Sequence, residues 1–493
     1  MKNRSIITIT FVTCLLIFMT SCHKELLEPI PESVLTTTNA FNTAKDINLG
    51  VIGIYSGLQS KVQKDYLLME MTSDNMYAEY YATEPGLAEV EVLEVSSENN
   101  ILNNFWKMSY NGIFRANSIL SNIDQPSSYG PGEKEQYTGE AKFLRALFYF
   151  DLTRIFGDVP LVTEALSVIE AEKVGRSPQT EVLNLVVSDL KDAIDKLPAP
   201  SNIESGRASK AAAMALLGKV YIHMEDWANA KTYFGQVVND FDYELVFEFK
   251  DLFSLETENN SEAIYSVNFI EGTNGQGITY NFAPLGGIYG VLSNGSRVGR
   301  PTWDLHQLYE PGDQRFDVTI SETQLTANSK PGDEPIWYPY VNKYIVPIAG
   351  SSSGLDLPIL RLGDIILLYA ESLYKTNDKE AALKQLNRIR TRAFENDNHD
   401  YALSDIASEQ EFMDLLLLER RLELAFENQR WFDLVRTGRF TSKLTQFETE
   451  YNPGSGNAEI QKINVQPYMK YFPIPYEQIQ LSAPGVLTQN EGY

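Results

Sequence analysis

Apolar positions along this chain recur at helical rather than strand spacing over most of its length. The densest stretch runs from Ala141 to Phe156, where Phe143, Leu144, Ala146, Leu147, Phe148, Tyr149, Phe150, Leu152, Ile155 and Phe156 cover most of a helix circumference. A helix apolar on nearly all sides is buried on several of them, and Gly157, Asp158 and Pro160 stop it. A second helix is predicted from about Glu181 to Leu197, where Leu183, Val186, Leu190, Ala193 and Ile194 fall three and four apart and Pro198 ends the run. From Ala208 the pattern is more specific. Gly218, Tyr221, Ala230 and Phe234 read small, aromatic, small, large at the offsets of a tetratricopeptide repeat, whose small residues let two antiparallel helices approach closely. A shift of 152 positions puts Ala370, Leu373, Ala382 and Leu386 on the same offsets, and Ala146 to Tyr149 supplies a third copy of the first helix. That shift far exceeds the ~34-residue repeat period, so a large insertion separates two repeats.

The insertion, residues 247–360, has no helical period. It holds Gly272, Gly275, Gly277, Gly286, Gly287, Gly290, Gly295 and Gly299, with short β-branched or aromatic runs such as Ile264 to Phe269, and reads as loops with short strands. The expected fold is therefore mainly α: a tetratricopeptide-type helical-repeat scaffold with a large loop-rich insertion containing short strands. A helical part at 41–246 precedes the insertion, and a second at 361–493 closes the scaffold. Long irregular segments on a rigid scaffold are where binding residues usually sit, which makes 247–360 the candidate ligand face.

The first residues carry a different signal. Lys2 and Arg4 lead into a near-continuous apolar run from Ile6 to Met19, then Thr20, Ser21 and Cys22. The run is shorter than the ~20 residues that span a bilayer and reads as a secretory signal peptide over 1–21. Cys14 lies within it, so Cys22 is left without a disulfide partner. Met19–Thr20–Ser21–Cys22 resembles a bacterial lipobox, in which the cysteine thiol is acylated and becomes the new N-terminus. Residues 22–40 then read as a lipidated cysteine with a polar tether, stiffened by Pro29 and Pro31.

Composition narrows the partners. The 493 residues are 43% hydrophobic and 22% charged, with 41 Lys plus Arg against 66 Asp plus Glu, a formal charge of −25. Such a chain can bury a core and is repelled by phosphate backbones, so nucleic acid is not an expected partner.

Candidate chemistry is sparse. Gly350–Ser351–Ser352–Ser353–Gly354 has the letters of a nucleophile elbow but not its strand-to-helix setting, and reads as a flexible loop. His23, His223, His306 and His399 are scattered without metal-ligand spacing, so no metal and no cofactor are expected, a carboxylate-only calcium site staying open. Glu423 and Glu427 could form a catalytic carboxylate pair. The apolar setting favours a structural network instead, in which Glu427 and Asp433 engage Arg430 and Arg436 at three-residue spacing. No catalytic residue is expected. Aromatics outside the helices are more suggestive, because flat rings stack on the apolar faces of sugars while neighbouring polar groups bond the hydroxyls. Tyr77, Tyr80 and Tyr81 follow Asp74 and Asn75, and Tyr280, Phe282, Tyr289, Trp303, Trp337, Tyr338 and Tyr340 crowd the insertion. The expected ligand residues are Trp303, Trp337, Tyr338, Tyr289, Asp74, Asn75, Tyr77, Tyr80 and Tyr81.

Taken in order, five blocks resemble the SusD/RagB family of nutrient-binding outer-membrane lipoproteins. They are Gly139 to Ala146 continuing to Phe156–Leu161, Ala208 to Phe234, Pro358–Asp364 through Glu371, Glu419–Glu427 through Arg436, and Phe472–Pro475 with the terminal Gln489–Tyr493. With the lipobox, the resemblance spans nearly the whole chain. It implies a surface-exposed lipoprotein of the outer membrane that lids a SusC-like TonB-dependent transporter and captures oligosaccharide or, in some branches, peptide. Ligand residues vary between branches, so none is carried over. Two other readings stand beside glycan binding: a surface glycan-degrading enzyme, which needs a dyad in the insertion, and a protein-docking scaffold using repeat grooves alone.

Overall fold

In the computed structural model, residues 40–79, 84–348 and 350–493 are described. The signal peptide at 1–21, acylation of Cys22, the tether as far as residue 39, and Tyr80 and Tyr81 lie outside the described residues. Helix α1 (Ala44–Met69) starts at a capping box: the Asp46 N–H donates to Thr43 Oγ1 and the Thr43 N–H donates to the Asp46 carboxylate. It packs along α2 (Asn100–Asn122), capped by Asn99, and α2 packs on α3 (Glu133–Phe156). Helix α3 is the apolar run read from the sequence. Nearly all of its last four turns are buried, and it ends at Gly157. It pairs in turn with α4 (Gln179–Lys196), which begins two residues before the predicted start.

The repeat phase is realised in α5 (Lys210–His223) and α6 (Trp227–Asp240). A Cβ on Gly218 would lie 2.4 Å from the Phe234 ring, so only glycine permits this crossing. The second copy is α7 (Leu362–Lys375) with α8 (Lys379–Phe394), and α7 packs directly on α6. Two repeats that are far apart in sequence are therefore neighbours in space, and the insertion is looped out between them. Helices α9 (Glu409–Leu424) and α10 (Arg430–Arg436) follow, α9 lying against α7 and α8.

Strands of three or more residues form antiparallel pairs. In chain order β1 is Met76–Ala78, β2 Ala263–Val267, β3 Gly299–Pro301, β4 Ile320–Gln324, β5 Ile336–Val341, β6 Leu357–Arg361, β7 Gln446–Asn452 and β8 Asn457–Lys462. β2 pairs with β6, so the insertion enters and leaves through one ribbon; β4 with β5 and β7 with β8 are hairpins. Two-stranded ribbons are marginal alone, and these are held by packing on the helices.

Buried charges lock the insertion to α9. Arg361, at the end of β6, donates to Glu262 at 2.8 Å, Glu423 at 2.6 Å and Glu427 at 2.6 Å, and Lys343 donates to Glu427 at 2.8 Å. Burial alone would raise the Glu423 carboxyl, but Arg392, Arg361 and Arg315 outweigh it and hold it well below the usual range. One expected pairing is corrected. Glu427 engages Arg361 and Lys343 rather than Arg430, because Arg430 is turned toward Asp74. Asp433 does pair with Arg436, and also with Arg420.

Candidate functional site

The three-residue ribbon β1–β3 joins the two segments that carry the expected ligand residues. Met76 faces Pro301, Tyr77 faces Arg300 and Ala78 faces Gly299, and the Thr302 N–H donates to the Asn75 carbonyl at 3.0 Å. Arg300 organises the polar side of this junction. Its guanidinium lies 4.3 Å from the Tyr338 ring centroid and 5.7 Å from that of Tyr77, and it donates to the Pro339 carbonyl at 2.9 Å and to Glu450 at 3.0 Å. Just outside it, the Tyr338 hydroxyl donates to Glu79, and the Arg297 guanidinium stands 3.7 Å from the same carboxylate. Burial, then the hydrogen bond and charge of Glu79, push the Tyr338 phenol up, so it stays a donor.

Beside this polar group the end of the β4–β5 hairpin carries an apolar patch. Leu285 is 52% exposed, Tyr289 44% and Ile336 55%. They are held together by hydrogen bonds: the Gln324 side-chain amide donates to the carbonyls of Leu285 and Gly287, the Tyr289 N–H donates to the Leu325 carbonyl at 2.9 Å, and Gln324 faces Ile336 across the hairpin. The turn that presents Tyr289 needs glycine at 287, where φ is 68° and a Cβ would fall 2.2 Å from the Leu292 carbonyl oxygen. The Arg297 N–H donates to the Ala283 carbonyl at 3.0 Å and the Gly286 N–H to Asn294 Oδ1 at 3.0 Å, so the segment that carries Leu285 and Tyr289 is tied to the one that carries Arg297, and the patch and the Glu79–Arg297–Tyr338 group form one loop face. A flat apolar ring beside donors and acceptors at its edge is suited to a polyol with apolar faces.

Several expected residues lie elsewhere. Trp303 opens a short helical turn capped by Thr302, and its indole is stacked on His306 at 4.2 Å and 24° and on Tyr451 at 4.0 Å and 10°. Two rings that close and that parallel cannot share one face of an indole, so both faces are covered and Trp303 offers no free platform. Trp337 stands edge-on to Trp303 and Tyr451 and donates its Nε1–H to the Tyr451 carbonyl at 3.2 Å. It is thus taken up by the Trp303–Tyr451 cluster, whereas the Tyr338 ring lies over Arg300 and its hydroxyl donates to Glu79. Asp74 and Asn75 are corrected too. Asp74 is 1% exposed and takes two bonds from Arg430, at 2.7 and 2.8 Å; burial would raise its carboxyl, but Arg421 and Arg430 hold it well below the usual range. Asn75 donates to Glu70 and accepts from Arg421. Tyr77 is buried beneath Arg300. These three position the junction and do not line its surface. Of the expected residues, Tyr289 and Tyr338 are on the loop face. Glu79, Arg297, Arg300, Leu285 and Ile336 were missed; Glu79 falls inside the Asp74–Tyr81 segment, while nothing local marks the others.

The serine run is also unlike a flexible loop. Ser353 exchanges backbone hydrogen bonds with Gln276 at 2.8 Å, and Ser352 Oγ bonds the backbone of Gly272. Among the described residues no group of three or more His, Cys, Asp or Glu side chains is placed to hold a metal ion, and no helix is long and apolar enough to cross a membrane.

Comparison with known proteins bears on the whole chain. A family model described as "SusD family" matches residues 313–493, and one described as "Starch-binding associating with outer membrane" matches 25–222. A SusD-like protein of Formosa agariphila is 26% identical over 543 aligned positions, covering 100% of both chains. Among solved structures, surface glycan-binding protein A from Bacteroides fluxus superposes with a TM-score of 0.76 at 22% identity, over 91% of this chain and 99% of its own. Surface glycan-binding protein A from Bacteroides thetaiotaomicron in complex with laminarihexaose does so with a TM-score of 0.74 at 19% identity, over 91% and 99%. The helical-repeat scaffold with its looped-out insertion is thus the fold of these proteins, and the chain belongs to the SusD/RagB family.

Proposed function

We propose that this chain is a lipid-anchored glycan-binding protein on the surface of the outer membrane, which holds oligosaccharide on its loop face and delivers it to a SusC-like TonB-dependent transporter. One observation carries the reading: Glu79, Arg297 and Tyr338 form a polar group next to the β1–β3 ribbon, and the 283–289 segment that presents the exposed Tyr289 is hydrogen-bonded to the Arg297 segment. An exposed ring with polar groups at its edge binds a sugar by stacking and by hydroxyl contacts. The descriptions of the matching families and the laminarihexaose complex of a fold neighbour support a glycan ligand. Met19–Cys22 supports the anchor. On this reading the protein binds its ligand without turning it over; the carboxylate pair that the sequence offers as catalytic, Glu423 and Glu427, is committed to buried ion pairs.

Affinity electrophoresis against a panel of polysaccharides, starch and laminarin among them, tests the reading. At least one is expected to retard the wild-type protein, and Tyr289→Ala together with Tyr338→Ala to abolish the retardation. A protein retarded by none of them, or one that releases reducing ends from them, contradicts it.

A further inference from the structure

Five helix ends meet around a groove of about 470 Å³ that shares no residue with the loop face. Its walls are the last turns of α5 and α7, the first turns of α6 and α9, and the turn after α10. The volume lies within the ~300–1,000 Å³ typical of small-molecule sites. On its floor Glu371 is 1% exposed. One carboxylate oxygen accepts from Arg436 Nη1 at 2.6 Å, while the other, Oε2, has no hydrogen-bond partner among the described residues. Oε2 is closed to solvent in this conformation, and a buried carboxylate oxygen without a donor is costly, so a small turn of the carboxylate into the groove, where an occupant supplies the missing hydrogen bond, is favourable.

The surroundings restrict what that occupant is. Glu225, Glu371 and Glu409 face Lys375, Arg436 and Arg439, so acids and bases balance. His223 adds no charge, because burial, with Arg154 and Arg436 nearby, pushes it down to about 4. A net cation or anion gains nothing here from charge. Glu371 and Arg436, hydrogen-bonded side by side, offer an acceptor next to a donor, an edge that fits two adjacent hydroxyls: one donates to Oε2 and its neighbour accepts from the guanidinium. Trp227 and Met413 supply apolar wall.

We propose that this groove is a second saccharide site, separate from the loop face, which takes a neutral hexose or a terminal hexose residue through vicinal hydroxyls on Glu371 and Arg436. Methyl NMR of the methionine-labelled mature protein tests it, with D-glucose, D-galactose and D-mannose as probes and the Met413 methyl as reporter. A saturable Met413 shift with at least one hexose is expected, and about tenfold weaker binding in Glu371→Gln, whose amide presents a donor where an acceptor is needed. Glu371 is buried, so an exposed variant, Gln410→Trp, fills the groove mouth without touching a buried ion pair and is expected to abolish the shift. Tyr289→Ala should leave the shift intact while weakening polysaccharide retardation, which separates the two sites. No saturable shift with any hexose, a shift that survives Gln410→Trp, or a response to glycine in place of the hexoses overturns the proposal.

Discussion

Asp74 and Trp303 are each fixed by partners distant in sequence, and each has a testable consequence. Asp74→Ala strands the buried Arg430 guanidinium, which directs its Nε and Nη2 bonds to Asp74, while Arg421 keeps Asn75 and Asp304. Removing one partner of a buried pair costs about 3–5 kcal/mol, so denaturant unfolding is expected to show a loss of that size. Trp303→Ala empties a stack between His306 and Tyr451 and is expected to cost about 3 kcal/mol, the low end for a large aromatic because the ring is only half-buried. In both variants that remain folded, glycan retardation should persist; a Trp303→Ala protein that melts normally but loses retardation would return Trp303 to the ligand surface. Composition alone made Trp303 and Tyr289 equivalent aromatic-loop residues. What separates them is whether the ring faces are covered, and the cover on Trp303 comes from Tyr451 on the distant β7–β8 hairpin.

At the scale of elements, legibility follows the range of the signal. The α5–α6 pair was readable because its small-aromatic-small-large phase is local, and the same phase in α7–α8 revealed the insertion. The β1–β3 ribbon was not readable: three residues a side carry no period, and the partners lie on opposite sides of the first repeat. Gly218→Leu drives a side chain into Phe234 and is expected to destabilise by about 1–3 kcal/mol or more; an unchanged melting temperature would mean that the α5–α6 crossing is not as close as described. Asp356, just before β6, accepts from the Phe269 N–H at 2.8 Å, and burial, then the charge of Glu258, push its carboxyl up to about 7. Folded protein keeps this proton where unfolded chain has lost it. Stability from Asp356 is therefore complete below the ordinary aspartate value of about 4 and drains away as pH rises through about 7. Asp356→Asn keeps the acceptor for Phe269 and removes the titration. Melting curves across that window should show the variant gaining on wild type as pH rises; a constant difference contradicts this.

For the whole molecule, the proposed function assigns membrane attachment and ligand capture to different segments of the chain. Cys22 is the residue on which attachment rests in this account, and Cys22→Ala is expected to give a folded protein that no longer partitions with membranes. Its retention there in cells lacking the proposed partner barrel would contradict the anchor. The net charge of −25 disfavours an acidic lipid surface as a second attachment. In the proposed function, capture belongs to the loop face. Calorimetric titration of the mature protein with an oligosaccharide cut from the polysaccharide that retards it, wild type beside Tyr289→Ala, tests that face most directly. The variant is expected to bind about tenfold more weakly, ~1.4 kcal/mol, with an unchanged melting temperature; equal affinities, or a loss that comes with early melting, would contradict binding at the loop face.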